Sequence, residues 1–113
     1  MNKQEKERGD GMTNIVFKGF NINKVLYEII NERDLDGNEK TILLTISFCY
    51  EKIIDENPTM TLSMDDIGRL ISCSRGTANR VMKKLIEKGY LESIKRGQGN
   101  PNIYVFKGWR KWQ

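Results

Sequence analysis

Arg75, Gly76, Thr77, Asn79, Arg80, Lys83 and Lys84 fall within ten residues that contain no acid, and the first carboxylate after them is Glu87. At helical spacing these residues form one polar, basic arc. Arg bonds guanine bidentately, Asn bonds adenine through its amide, and Thr reaches a phosphate or a thymine methyl. An ordinary solvated helix face mixes signs, with acids four residues from bases; this one does not. Ser74 stands where a helix cap belongs, and amides of a first helical turn can hold a phosphate. Gly76 lets the start of such a helix come close to a groove. A second cluster follows at Lys95, Arg96, Gln98, Gly99, Asn100 and Asn102, with no acid from Ser93 to Gln113. Its cations and amides suit phosphate or minor-groove contact, and Gly97 and Gly99 allow close backbone approach.

The charge of the whole chain follows the same division. Residues 1–68 carry 8 Lys/Arg against 13 Asp/Glu, a net of −5, whereas residues 69–113 carry 11 against 2, a net of +9. A segregated basic half points to an anionic partner. Catalytic chemistry has little to work with: there is no histidine, and Asp65 and Asp66, adjacent in a helix start, read as capping and dipole partners rather than a converging pair. Two cysteines, Cys49 and Cys73, cannot build a zinc site, so neither a metal nor a cofactor is expected. Cys49 on an apolar stripe and Cys73 in a turn read as buried thiols of a reducing cytoplasm. The GQGN stretch is no nucleotide loop, since neither a following helix nor a Gly-Lys-Ser/Thr is present. No apolar run nears the roughly 18 residues of a membrane span, and the polar start offers no signal-peptide core. A cytoplasmic protein without membrane contact is expected.

The elements that position these residues read as a single domain. Residues 1–13 form a charged tail, and Ile15–Phe20 alternates like a short strand or arm. Asn21 or Asn23 caps a helix over about Ile22–Arg33, with Val25, Leu26, Ile29 and Ile30 inward. Asp36-Gly37-Asn38 is a turn with a helix cap at its end, and the next helix, roughly Glu39–Glu56, has an apolar stripe through Ile42, Leu43, Ile46, Cys49, Tyr50 and Ile53. Asn57-Pro58 ends it. Thr59–Leu62 alternates as a strand. Ser63 caps a short helix with Ile67, Leu70 and Ile71 inward, and Ser72-Cys73-Ser74 is a turn. The basic helix then runs over about residues 75–88 with Ala78, Val81, Met82, Leu85 and Ile86 inward, stopping at Gly89. Strands at Tyr90–Lys95 and Asn102–Phe106 close a Gly-tipped hairpin. Helix, turn, helix and hairpin in that order make the pattern of a winged helix-turn-helix, whose second helix enters a DNA major groove. The expected fold class is mainly α with a small β wing.

The stretch SRGTANRVMKKLIEKGYLESIKRGQGNPNIYVF resembles winged helix-turn-helix domains of plasmid and phage replication initiators and plasmid accessory proteins of low-GC Gram-positive bacteria. Ser74, Thr77, Met82, Leu85, Gly89, Tyr90, Leu91, Gly97, Gly99, Pro101, Asn102 and Tyr104 fall on their pattern. The segment KGFNINKVLYEIINERDLDGNEKTILLTI resembles what precedes the motif in that group, so the likeness covers about residues 15–106. The resemblance implies base reading by Arg75, Gly76, Thr77, Asn79 and Arg80, and backbone contact by Lys95, Arg96 and the Gln98–Asn100 tip. Such initiators continue into a further domain, and a chain ending soon after the wing favours a small regulator or accessory factor.

The expected partner is double-stranded DNA, bound as a homodimer or as several copies on repeated sites. The setting is a replication or transfer origin or an operator on a mobile element. Three alternatives stay open: a transcriptional repressor, a module that recruits a relaxase or replication protein, and RNA binding, which the basic face serves poorly without stacking aromatics. Trp109 and Trp112 pack on the core, cover a partner or touch DNA.

Overall fold

A computed structural model describes residues 22–107. The expected 1–13 tail, the Ile15–Phe20 arm, an Asn21 cap and the tail bearing Trp109 and Trp112 lie outside the described residues. Four helices and four strands follow one another: α1 (Ile22–Asn31), α2 (Gly37–Cys49), β1 (Lys52–Ile54), β2 (Asn57–Leu62), α3 (Met64–Ile71), α4 (Arg75–Glu87), β3 (Leu91–Ile94) and β4 (Asn102–Phe106).

In α1 the 3.6-residue period buries Ile22, Val25 and Ile29 with Leu26 beside them. Asn23 falls within the helix rather than at its cap. Ile30, expected inward, is exposed, as is Tyr27. Among the described residues the helix packs chiefly on α2, which covers only a narrow stripe. Asp36 caps α2 with a full capping box: its side chain accepts the Glu39 N–H, and Glu39 accepts the Asp36 N–H, each at 2.9 Å.

Contrary to the sequence reading, α2 stops at Cys49 rather than near Glu56, because Tyr50 turns extended with ψ 148°. The following residues form a β1–β2 hairpin, turned by Asp55 and Glu56 at φ 51° and 67°. Asn57-Pro58 thus begins a strand instead of ending a helix. Pro58 is tolerated there because the β4 ladder starts only at Thr59. The shortened helix also moves the stripe. Ile42, Leu43, Ile46 and Ser47 are buried, whereas Cys49 and Ile53 are exposed and Cys73 is only half-buried. The expected pair of buried thiols is not what the fold contains. Ser47 tolerates burial by donating its hydroxyl to the Leu43 carbonyl at 2.8 Å.

The sheet runs β1-β2-β4-β3, antiparallel throughout. Its inner face carries Leu62, Leu91, Tyr104 and Phe106 into the core, against Ile67, Ala78, Met82 and Leu85. Leu70 and Ile86, also expected inward, are more than a third exposed. Leu70 borders an open concavity beside Met60, Thr61 and Leu62.

At the far end of α4, Lys88 reaches back to α2. Its Nζ donates to Glu39 Oε1 at 2.8 Å and Oε2 at 3.1 Å, and also to the Asp34 carbonyl. That hydrogen bond to Glu39 raises the Lys88 pKa above its ordinary 10.5. Burial, helped by Glu32, Asp34 and Glu39, pushes the neighbouring Tyr90 phenol from 10.0 up to about 12. Both folded values lie above the unfolded ones. The stabilisation is therefore complete below about pH 10 and is lost as pH rises through the folded values. Thermal melts should show the midpoint falling from pH 10 to 12, and Tyr90→Phe should flatten part of that fall.

Candidate nucleic-acid interface

Ser63 caps α3 and Asp66 closes its capping box. The Ser63 side chain accepts the Asp66 N–H at 3.0 Å, and Asp66 Oδ2 accepts the Ser63 N–H at 3.0 Å. These bonds, from the Ser63 backbone first, hold the Asp66 carboxyl below its ordinary range. The turn to α4 is tight. Ser72 is left-handed at φ 56°, and the Cys73 N–H donates to the Gly68 carbonyl at 2.8 Å. A β-carbon on Gly68 would lie 2.8 Å from the Cys73 carbonyl oxygen, so this close crossing depends on glycine.

Ser74 caps α4 by accepting the Thr77 N–H at 3.2 Å. Its hydroxyl donates to Thr77 Oγ1 at 3.3 Å, which also accepts from Arg80 Nη2 at 3.1 Å. The cap, Thr77 and Arg80 therefore form one connected row along the helix start. Ala78, Val81, Met82 and Leu85 bury the opposite face. Ser74, Arg75, Gly76, Asn79, Arg80, Lys83 and Lys84 are exposed, with Thr77 half-buried among them. Arg80, Lys83 and Lys84 have no ion-pair partner among the described residues.

The β3–β4 hairpin stands beside this helix. Lys95, Arg96, Gln98, Gly99 and Asn100 are exposed at its tip and Asn102 is half-buried. The Asn100 N–H donates to the Gly97 carbonyl at 3.2 Å, and its side-chain amide to the Arg96 carbonyl at 3.3 Å, fixing the turn. One cleft is lined by Arg75 together with Ser63, Gly99, Asn100 and Asn102, so the helix start and hairpin tip share a surface. Arg96 lies elsewhere. It lines a concavity with Lys52, Thr59, Thr61 and Ile103. Thr61 pairs with Ile103, one register position from the Leu62–Asn102 pair of the first cleft. Strand residues alternate faces, so Arg96 sits over the opposite face of the sheet.

A helix, left-handed turn and second helix are thus followed by a two-stranded hairpin paired to an earlier strand. The MarR family model matches residues 52–98, from β1 to the hairpin tip. The domain is a winged helix-turn-helix. One solved structure, described as "N-Terminal domain of DNA binding protein", is similar with a TM-score of 0.52 at 18% identity, over 83% of this chain and 76% of that one. A second, described as "Structure of Rep-DNA complex", gives a TM-score of 0.48 at 20% identity over the same shares. At 18% identity the first likeness is one of fold. No curated protein matches the sequence.

In this winged helix the expected class, mainly α with a small β wing, holds, with β1 as an addition at the sheet edge. Two residues beside the expected surface escaped the sequence reading. Arg69 pairs with Asp66 at 2.6 Å and borders the α3–α4 turn. Asp65, read as a capping acid, takes no part in the capping box and instead meets Arg75, its Oδ1 lying 3.3 Å from Nε. Its signal was faint, since the two lie ten residues apart across a turn. Among the described residues no cluster of His, Cys, Asp or Glu forms a metal site, and no helix is long and apolar enough to cross a membrane.

Proposed function

We propose that this chain binds specific sequences of double-stranded DNA, with α4 in the major groove and the wing, through Lys95 and the Gln98–Asn102 tip but not Arg96, on the flanking backbone. The observation that carries this reading is the exposed α4 arc, with Asn79, Arg80, Lys83 and Lys84 free of acids and a cleft joining its first residue to the wing tip. The match of residues 52–98 to the MarR family, a family of DNA-binding regulators, supports it. One module of this size buries roughly 600–1,000 Å² on DNA, a small footprint, so a homodimer or several copies on repeated sites would supply the rest of the specificity. For a two-fold pair the half-sites lie about one helical turn apart. The setting we favour is an origin of replication or transfer, or an operator, on a plasmid or phage, with a relaxase or replication protein as a further partner at an origin. The family match favours the operator.

Selection of bound sequences from random duplex DNA, followed by titration of the best one at several salt concentrations, tests this. A defined motif bound far more tightly than random duplex is expected, with a steep logarithmic salt slope. Affinity that followed salt alone, with no motif, would overturn it. Arg80→Ala should weaken the best site by about 1–3 kcal/mol and relax base choice, whereas Lys95→Ala should weaken all sequences alike and reduce the salt slope by about 1. If both variants bound the best site like the wild type, α4 and the wing would not be the docking surface.

A further inference from the structure

Arg75 is the first residue of α4 and lines two concavities, one toward the wing tip and one along the α3–α4 turn. Only one acid anchors it among the described residues. Asp65 Oδ1 lies 3.3 Å from Arg75 Nε, whereas Asp66 is fully engaged by the Ser63 N–H and by Arg69 Nη2. The Asp65 and Arg75 side chains are 58% and 72% exposed, and an ion pair this open contributes little to stability. Its consequence lies in geometry. Contact through Nε leaves the two terminal nitrogens of the guanidinium unused by Asp65, and that edge matches the O6/N7 pair of guanine. A long arginine held beforehand also gives up less rotamer freedom when it binds.

Resting on the DNA-binding reading above, we propose that Asp65 is a specificity-determining residue that acts by positioning Arg75. Asp65 works in two ways on the same ratio. It presents the arginine fork to one base, which favours the correct sequence. Its negative charge, at the edge of a surface that meets phosphates, weakens binding to every sequence. Selectivity is therefore bought with affinity, and neutralising Asp65 should move the two kinds of duplex differently.

The test compares the wild-type chain, Asp65→Asn, Arg75→Ala and the double variant, each titrated with the selected duplex and with a random duplex of equal length. Asp65→Asn should melt close to the wild type, bind random duplex more tightly, and lose about tenfold in the selected-to-random ratio, within the range one Arg–guanine pair discriminates. In the Arg75→Ala background the same change should raise both affinities equally and leave the ratio where it was. Two results overturn the role of Asp65 while leaving the DNA reading intact. In one, Asp65→Asn tightens both duplexes by the same factor in the wild-type background. In the other, the ratio falls as far without Arg75 as with it. A wild-type chain that selects no duplex at all overturns both readings together.

Discussion

Lys88→Met should destabilise the domain by about 3 kcal/mol, at the low end for breaking a buried ion pair, and lower Tm by roughly 10–20 °C. The reason lies 49 residues upstream. Glu39 is 1% exposed, and its carboxylate receives the Asp36 N–H and the Lys88 ammonium. Removing the ammonium leaves a charge in the core with a single amide donor, and the cost of that orphan exceeds the worth of the pair itself. Lys88 is 27% exposed, so water can partly replace it, which sets the low end of the range. Glu39→Gln in the same chain should recover most of the loss, because the amide oxygen still accepts the Asp36 N–H and no charge is left unpaired. Chemical and thermal melts of the single and double variants check this. If the double variant is as unstable as Lys88→Met, the loss comes from packing of the lysine stem and not from the carboxylate. DNA affinity below the melting range should change little, since Lys88 lies some 20 Å along α4 from Arg75.

What the sequence made legible was local. Caps depend on a side chain and an amide three residues on, so Ser63 and Ser74 were readable, as was the stop at Gly89 with φ 86°. By contrast, α2 starts at Gly37 and is capped by Asp36, two residues before the cap expected at the end of the Asp36-Gly37-Asn38 turn. The acid-free run from Arg75 to Lys84 marked the arc of α4 by composition alone. What stayed hidden depended on tertiary contact or unusual backbone. The β1–β2 hairpin escaped because Asp55 and Glu56 both take left-handed angles without glycine, while Tyr50 and Ile53 prolong a helical period past the true end. Ile30, Leu70 and Ile86 sit on apolar faces wider than the neighbours that cover them, and periodicity reports the face rather than its partner. The Glu39–Lys88 and Asp65–Arg75 contacts join separate elements, so no spacing rule reaches them. The wing was legible as a hairpin, but the placement of Arg96 on the far side of the sheet follows only from register.

Two glycines of the helix-turn-helix should give opposite results. Gly68→Val should destabilise the domain by about 3 kcal/mol, through overpacking against a backbone that cannot yield and the lower helix propensity of a β-branched residue. The added β-carbon would lie 2.8 Å from the Cys73 carbonyl oxygen. That oxygen cannot easily retreat, because the Cys73 N–H is bonded to the Gly68 carbonyl at 2.8 Å and Ser72 already occupies a left-handed angle. The turn must open, and the start of α4 moves with it, so the folded fraction should also discriminate less between sequences. At Gly76 a β-carbon meets nothing closer than Ser74 Oγ at 3.9 Å and Arg80 Nη1 at 4.0 Å. Gly76→Ala should therefore leave stability unchanged or raise it by about 0.5 kcal/mol, since alanine favours the helix. Its methyl would stand on the exposed start of α4, where close approach to a groove matters. Affinity for the selected duplex should fall while the melting temperature does not. Parallel melts and titrations of the two variants separate a residue that shapes the turn from one that faces the DNA. If Gly76→Ala binds as tightly as the wild type, the first turn of α4 does not enter the groove closely.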